Sequence, residues 1–214
     1  MSLFPFVLSY PRSGMNWLRH CVETMSGLKT PGPDHGLVGT KEFAFCRLHY
    51  IKLDAESQKV TPRNTHWNGL CLMLRNYREN YVRTPRWTFT SLREGKFRSF
   101  ANNIIFFERY AGPKLVIRYE DHIQGFEEAM RFMTWAGIPY TPLDPSQYEA
   151  ESERSKQWYR QDKRKYYRRT PNREITDQVR RDSKQALLKT LGPRLFEKYF
   201  SVYDAPGEPL KRAA

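Results

Sequence analysis

Four short apolar runs divide the chain, and longer segments of mixed polarity separate them. The runs cover residues 4–10, 43–49, 70–74 and 114–119, and each has the length of a buried strand. Because strands alternate with helical or irregular segments, the pattern predicts a central parallel sheet that is covered on both faces. The expected fold class is therefore α/β, with a three-layer α/β/α architecture.

Helical periodicity appears in the segments between and after the strands. It predicts helices over residues 14–26, 91–110, 125–136 and 175–200. In two of these segments the apolar residues fall on one face, as expected for helices that pack on a sheet. They are Trp17, Leu18, Cys21, Val22 and Met25 in the first helix, and Phe97, Phe100, Ile104 and Phe107 in the second.

Two further segments do not fit this alternation of strands and helices, and a third segment is notable for its polarity. Residues 29–42 are rich in Gly and Pro, and residues 54–68 are mostly polar, so both are predicted to be loops. Residues 146–173 are highly polar and contain the basic run "RQDKRKYYRR" near their end. Loops above the strand ends are where ligands bind in such sheets.

Composition favours one globular domain, residues 1–214, with a strongly basic surface. Aromatic residues make up 14% of the chain, and Lys and Arg total 36 against 23 Asp and Glu, a formal charge of +13. Such a field attracts anions, so nucleotides, nucleic acids, sulfated glycans and acidic membranes are all candidate ligands. The sequence has no secretory signal and no window of roughly 20 apolar residues, which predicts a soluble cytoplasmic protein without membrane partners.

Cysteine and metal chemistry are not indicated. Cys21, Cys46 and Cys71 all lie in apolar segments, and their number and spacing fit neither a disulfide framework nor a zinc site. We expect buried free thiols. No Asp-x-Asp motif or histidine cluster suggests a metal.

Residues 9–20, "SYPRSGMNWLRH", join the first strand to the first helix through a tight turn. Backbone amides at a helix start carry part of the helix dipole, so this arrangement predicts an anion site, with a purely structural turn as the alternative. Arg12 and Ser13 would add a cation and a hydroxyl. The single glycine, Gly14, without a following lysine argues against a Walker-type loop.

The order Tyr-Pro-Arg-Ser-Gly-x-x-Trp resembles the phosphosulfate-binding element "YPKSGTTW" of sulfotransferases, with Arg12 in place of the lysine. The resemblance implies a nucleotide-kinase-like fold and the donor 3′-phosphoadenosine 5′-phosphosulfate (PAPS), with 3′-phosphoadenosine 5′-phosphate (PAP) as product. It also implies that Arg12 is catalytic, by stabilising charge on the leaving phosphate oxygen. The implied donor-binding residues are Arg12, Ser13, Gly14, Met15, Asn16 and Trp17.

Two later segments are similar to further elements of the same family. "LRNYRENYVR", residues 74–83, resembles the element that binds the nucleotide 3′-phosphate, which implies that role for Arg75 and for Arg83 at the place of the family's serine. "RYED", residues 118–121, lies in a segment similar to the family's third motif. Tyr119 would face the adenine ring, whereas Glu120 and Asp121 are expected to fix the strand end by hydrogen bonds.

Candidates for the catalytic base are few. His49 follows "CRL" at the end of the second strand, similar to the histidine that is the base in cytosolic sulfotransferases. An imidazole has an unperturbed pKa near neutrality, which suits removal of a proton from an acceptor hydroxyl. Glu42 and His35 are the alternatives, because some glycan sulfotransferases use a glutamate.

The basic run near residue 165 is the counterpart of a family element that closes over the 3′-phosphate, although its glycine is missing here. A solvated basic helix is the alternative explanation for such a charge run. The candidate phosphate ligands are Arg164, Lys165, Arg168 and Arg169.

Together these motifs predict a PAPS-dependent sulfotransferase without a metal, acting on a hydroxyl or amine of a small molecule or glycan. A basic nucleic-acid-binding protein is one alternative, but no helix-turn-helix, zinc or RNP-type signature supports it. A PAPS-binding module without catalysis is the other. The acceptor and the oligomeric state do not follow from the sequence.

Overall fold

The computed structural model describes the chain in six stretches, which contain all the elements named below. These are residues 4–11, 13–30, 43–49, 67–83, 93–161 and 175–204; the side chains of residues 67, 83, 93–97 and 158–161 are outside this description.

The described residues contain a four-stranded sheet in which every neighbouring pair of strands is parallel. Its strands are β1 (Phe4–Ser9), β2 (Cys46–Leu48), β3 (Trp67–Leu74) and β4 (Lys114–Arg118), in the order β2-β1-β3-β4. The predicted parallel sheet is thus confirmed. The loop predicted over residues 54–68 is wrong at its end, because β3 already begins at Trp67.

Helices cover both faces of this sheet. They are α1 (Met15–Ser26), α2 (Tyr77–Arg83), α3 (Arg93–Arg109), α4 (Tyr119–His122), α5 (Glu127–Ala136), α6 (Tyr148–Gln161) and α7 (Asp177–Phe200). The helix α1 packs against α5 and α6, whereas α7 packs against α2 and α3. The three-layer α/β/α prediction is confirmed.

Alternation along the strands creates two cores. Phe6 and Leu8 of β1 point into a cluster with Phe100, Ile104 and Phe200 of α3 and α7. Val7, which lies between them in the chain, points the other way. It joins a second cluster that includes Leu18 and Val22 of α1 and Phe132 and Met133 of α5. Because side chains alternate with a period of two, one strand supports both helical layers.

Three helices were not predicted from the sequence: α2, α4 and α6. Both α2 and α4 are short, with seven and four residues, and each lies close behind a strand. The third, α6, lies in the first half of the highly polar segment, and its buried side chains include the polar residues Glu151 and Ser155. A helix with so little apolar surface leaves no clear periodic signal.

The strand order creates a crevice at the carboxyl edge of the sheet. From β1 the chain passes to β2 on one side, and from β3 it passes to β4 on the other side. The connections therefore diverge between β1 and β3, and ligands of open α/β sheets bind outside the strand ends at such a point. No helix in the described stretches is both long enough and apolar enough to cross a membrane.

Candidate functional site at the carboxyl edge of the sheet

Residues from four separate sequence segments meet at this edge. The turn before Gly14 follows β1, His49 follows β2, Arg75 follows β3 and Tyr119 follows β4. Because all four strands are parallel, their carboxyl ends lie side by side. The fold thus brings together members of all three motifs and the candidate base.

The turn after β1 is tight and requires glycine. The Ser13 amide donates to the Tyr10 carbonyl at 3.1 Å. Gly14 has φ 88°, in the left-handed region, and a Cβ atom there would lie 2.6 Å from Cδ2 of Tyr119. Any other residue would be strained and would also displace the Tyr119 ring.

The N-cap residue of α1 is Gly14, which has no side chain to cap the first amides of the helix. The first turn contains no acidic residue either. An anion would therefore meet the positive end of the helix dipole without a competing carboxylate on that turn. The Met15 side chain is buried in the core, so only its main chain can contribute, whereas Asn16 is half-buried.

Ser13 is held in a defined orientation. It is 1% exposed, and its Oγ accepts a hydrogen bond from Asn80 Nδ2 at 3.3 Å. Since a hydroxyl has one donor and two acceptor positions, this contact leaves the hydroxyl hydrogen for another acceptor. Asn80 lies on α2, so this helix supports the turn after β1.

Arg75 lies between Tyr119 and Glu79. Its guanidinium carbon is 3.9 Å from the centre of the Tyr119 ring, and Nη2 is 3.4 Å from Oε2 of Glu79. The residue is 6% exposed. The aromatic contact fixes the plane of the guanidinium, and a phosphate bound by Arg75 would compete with Glu79 for that nitrogen.

Asn76 has a structural role beside Arg75. Its Oδ1 accepts from the Arg78 amide at 3.0 Å, which caps α2, and its own amide donates to Oε1 of Glu120 at 2.9 Å. The sequence contains a signal for this cap, because Asn76 stands three residues before Glu79, the spacing of a helix start.

Glu120 fixes the end of β4, as predicted. Besides the Asn76 amide, its carboxylate accepts from the Tyr203 hydroxyl at 2.8 Å, and Arg118 Nη1 donates to that same hydroxyl at 3.3 Å. These contacts join β4, the loop after β3 and the end of the described chain. The predicted structural role is therefore confirmed for Glu120, whereas among the described residues the Asp121 carboxylate makes no such hydrogen bond.

His49 is anchored at both its ring and its main chain. Nδ1 lies 3.0 Å from Oγ of Ser9, and the His49 carbonyl accepts from Asn103 Nδ2 at 2.9 Å. Burial lowers the pKa of His49 below 6.5, the positive charge of Arg47 lowers it further, and a hydrogen bond with the Ser9 main chain opposes both. The neutral ring, which a base requires, is therefore favoured at neutral pH.

Trp17 belongs to an aromatic cluster on α1. Its ring stacks with His20 and Phe126 at centroid distances of 5.6 and 6.0 Å, and meets Tyr148 edge-on. Nε1 donates to the His122 carbonyl at 3.0 Å. Contact between Trp17 and a nucleotide remains a prediction.

Several predicted site residues lie outside the described stretches. For Arg83 the backbone ends α2, but its side chain is not described. The others are Arg12, His35, Glu42, Arg164, Lys165, Arg168 and Arg169. Their proposed roles rest on the sequence.

Sequence reasoning missed three polar residues that support the site. Ser9 contacts the His49 ring, Asn103 holds the His49 carbonyl, and Asn80 holds Ser13. All three are fully buried, which is unusual for serine and asparagine. The signal that would have drawn attention to Asn103 is the pair of asparagines, Asn102 and Asn103, inside the otherwise apolar run "FANNIIFF".

Comparison with known proteins does not identify a family for this chain. No protein-family model matches the chain, and no curated protein matches it at a significant level. Among the described residues no group of three or more His, Cys, Asp or Glu side chains is arranged to hold a metal ion.

Proposed function

We propose that the chain is a PAPS-dependent sulfotransferase that acts on a hydroxyl or amine of a small molecule or glycan. The observation that carries the proposal is the contact of three distant motifs at one edge. The Tyr119 ring packs against Gly14 of the first motif and against Arg75 of the second. These residues are 44 or more positions apart in the chain, so their meeting reflects the fold.

The residues present fit the two anionic ends of such a donor. At the first end, the uncapped start of α1, the close approach allowed by Gly14 and the Ser13 hydroxyl suit the oxygens of a phosphosulfate. Arg12 would add a permanent cation there. At the second end, Arg75 suits the 3′-phosphate because a guanidinium can make paired hydrogen bonds to phosphate oxygens. Arg83, Arg164 and Lys165 are further candidates from the sequence.

In the proposed reaction the donor supplies the sulfuryl group: a bond forms from sulfur to the acceptor oxygen or nitrogen while the sulfur–oxygen bond to the 5′-phosphate breaks. His49 accepts the proton that the acceptor loses. Its lowered pKa keeps it neutral, and therefore able to accept, at pH 7. Arg12 and the amides after Ser13 would stabilise the charge left on the phosphate oxygen.

A basic nucleic-acid-binding protein is the second candidate, favoured by the charge of +13. The two functions differ in their response to salt. Binding through many phosphate contacts weakens steeply as salt rises, whereas a nucleotide site with a few directed contacts responds much less.

The direct test is transfer from sulfur-labelled PAPS to a panel of acceptors: a phenol, an aliphatic alcohol, an amine and an unsulfated glycan. We expect one label in the acceptor for each PAP formed. His49→Ala should lower kcat by roughly 10²–10⁴ while PAP affinity stays within a factor of a few.

Glu42→Ala is the matched control for the base. If this variant is inactive and His49→Ala retains most of its turnover, Glu42 is the base and the kinship is with glycan sulfotransferases. Tight PAP binding without transfer to any acceptor would instead indicate a binding module.

A further inference from the structure

A buried serine stands directly beside the candidate base. Leu8 of β1 pairs with Leu48 of β2. The next residues are Ser9, which ends β1, and His49, which directly follows β2. Ser9 is fully buried, and its Oγ lies 3.0 Å from Nδ1 of His49. Among the described residues this ring is the hydroxyl's hydrogen-bond partner.

The other side of His49 is also fixed. Asn103 of α3 is fully buried and donates from Nδ2 to the His49 carbonyl at 2.9 Å. The main chain is thus held by a helix and the ring by the neighbouring strand. Asn103 thus fixes the position of the His49 main chain, and Ser9 is the contact that orients the imidazole.

The 3.0 Å contact fits either tautomer of His49, because Ser9 Oγ can accept from an Nδ1–H or donate to a bare Nδ1. In the first arrangement Nε2 keeps its lone pair. The Ser9 main chain raises the pKa of His49, which favours a proton on the side of the ring that faces Ser9. The charged group that acts on His49 among the described residues is Arg47 of β2, which has the opposite effect. Ser9 and Asn103 are uncharged, so they add no further titration.

We propose that Ser9 is the positioning residue of His49: it holds the imidazole with the proton on Nδ1 and so leaves the lone pair on Nε2 to accept the acceptor's proton. This inference rests on the proposed function for its catalytic meaning. In the step itself the acceptor O–H or N–H proton moves to Nε2, the Nδ1 proton stays in place, and the ring becomes imidazolium.

The arrangement of the ring can be tested without any assay of activity. Long-range proton–nitrogen NMR of the histidine rings, with His49 assigned by its loss in His49→Gln, reports which nitrogen carries the proton. In the wild type at pH 8 we expect the Nδ1–H form. In Ser9→Ala we expect a mixture of both tautomers, and Ser9→Thr should restore the Nδ1–H form because it keeps a hydroxyl.

Ser183→Ala is the matched control, since Ser183 is also fully buried and hydrogen-bonded, but to the main chain of α7. It should leave the His49 signals unchanged. An Nε2–H form in the wild type would overturn the proposal even if Ser9→Ala failed to fold. An unchanged tautomer in a folded Ser9→Ala would overturn it as well.

Kinetics then test the catalytic meaning. Ser9→Ala should lower kcat by about 10- to 100-fold, the scale seen when the partner that orients a histidine is lost. It should also shift the pH profile of kcat/KM, while PAP affinity stays unchanged and Ser9→Thr recovers most of the rate. If the tautomer changes as expected but no acceptor is sulfated by the wild type, the proposed function fails and the Ser9–His49 arrangement stands.

Discussion

Lowering the pH should destabilise this protein in large part through the buried histidine His122. The residue is fully buried at the end of α4, and among the described residues neither of its ring nitrogens has a hydrogen-bond partner. Its neighbours are the Trp17 ring, at a centroid distance of 6.4 Å, and Gly14. Burial lowers the pKa of His122 from 6.5 to about 3.

The magnitude follows from the two pKa values. The unfolded chain binds a proton at this site below pH 6.5, whereas the folded chain binds it only near pH 3. In that window the unfolded state holds more protons, so the free energy of unfolding falls as pH falls. Between pH 7 and pH 5 the loss from His122 amounts to about 2 kcal/mol.

The assay compares the wild type with His122→Leu by urea denaturation at pH 7 and pH 5, at one ionic strength. Leucine is close in size, has no proton to bind and leaves no polar atom unsatisfied. Its stability relative to the wild type should rise by about 2 kcal/mol on going to pH 5. Met133→Leu, a buried change without a titratable group, should show the same difference at both pH values. If the stability difference between His122→Leu and the wild type were also the same at both pH values, His122 would not be the group that takes up the proton on unfolding.

Further predictions concern the site itself. Arg75→Ala should weaken PAP binding by about 2–3 kcal/mol in calorimetry. It should weaken binding of adenosine 5′-phosphosulfate, which lacks the 3′-phosphate, far less. Equal losses for the two ligands would contradict the assignment of Arg75 to the 3′-phosphate. The kcat/KM of the wild type should rise with pH through an apparent pKa below 6.5, because burial and the nearby Arg47 favour neutral His49; a midpoint above 6.5 would contradict this. Gly14→Ala should lower the thermal midpoint and abolish PAP binding. Gly27 also has a positive φ, 72°, but an added Cβ would meet open space there, so Gly27→Ala should lower the thermal midpoint only through backbone strain. Similar melting and intact binding in Gly14→Ala would argue against a close approach at the turn.

The sheet could be predicted because its strands are short, apolar and separated by helices. The run over residues 70–74 reads as a buried strand from composition alone, and the structure places Leu70 and Leu72 in one core and Cys71 and Met73 in the other. The helix α6 could not be predicted in this way. Its position depends on polar contacts such as that of His20 with Glu151, which involve residues 131 positions apart.

The site was predicted as a set of motifs but not as a network. Gly14, Arg75 and Tyr119 stand out by order and spacing, and strand parallelism predicts that they meet. The contact of Ser9 with His49 depends on β2 lying beside β1, and sequence alone does not specify which strand takes that place. The isolation of the His122 ring nitrogens depends in the same way on the packing of α4 against α1.

Calorimetric titration of the wild-type chain with PAP and with adenosine 5′-monophosphate is the decisive measurement for the proposed PAPS site at the carboxyl edge of the sheet. This experiment needs no knowledge of the acceptor. We expect saturable one-to-one binding of PAP, at least about tenfold tighter than that of the monophosphate, because Arg75 would contribute a charged hydrogen bond to the 3′-phosphate. The affinity for PAP should fall only modestly as salt rises. Equal affinities for the two nucleotides, or binding that disappears steeply with salt, would contradict it.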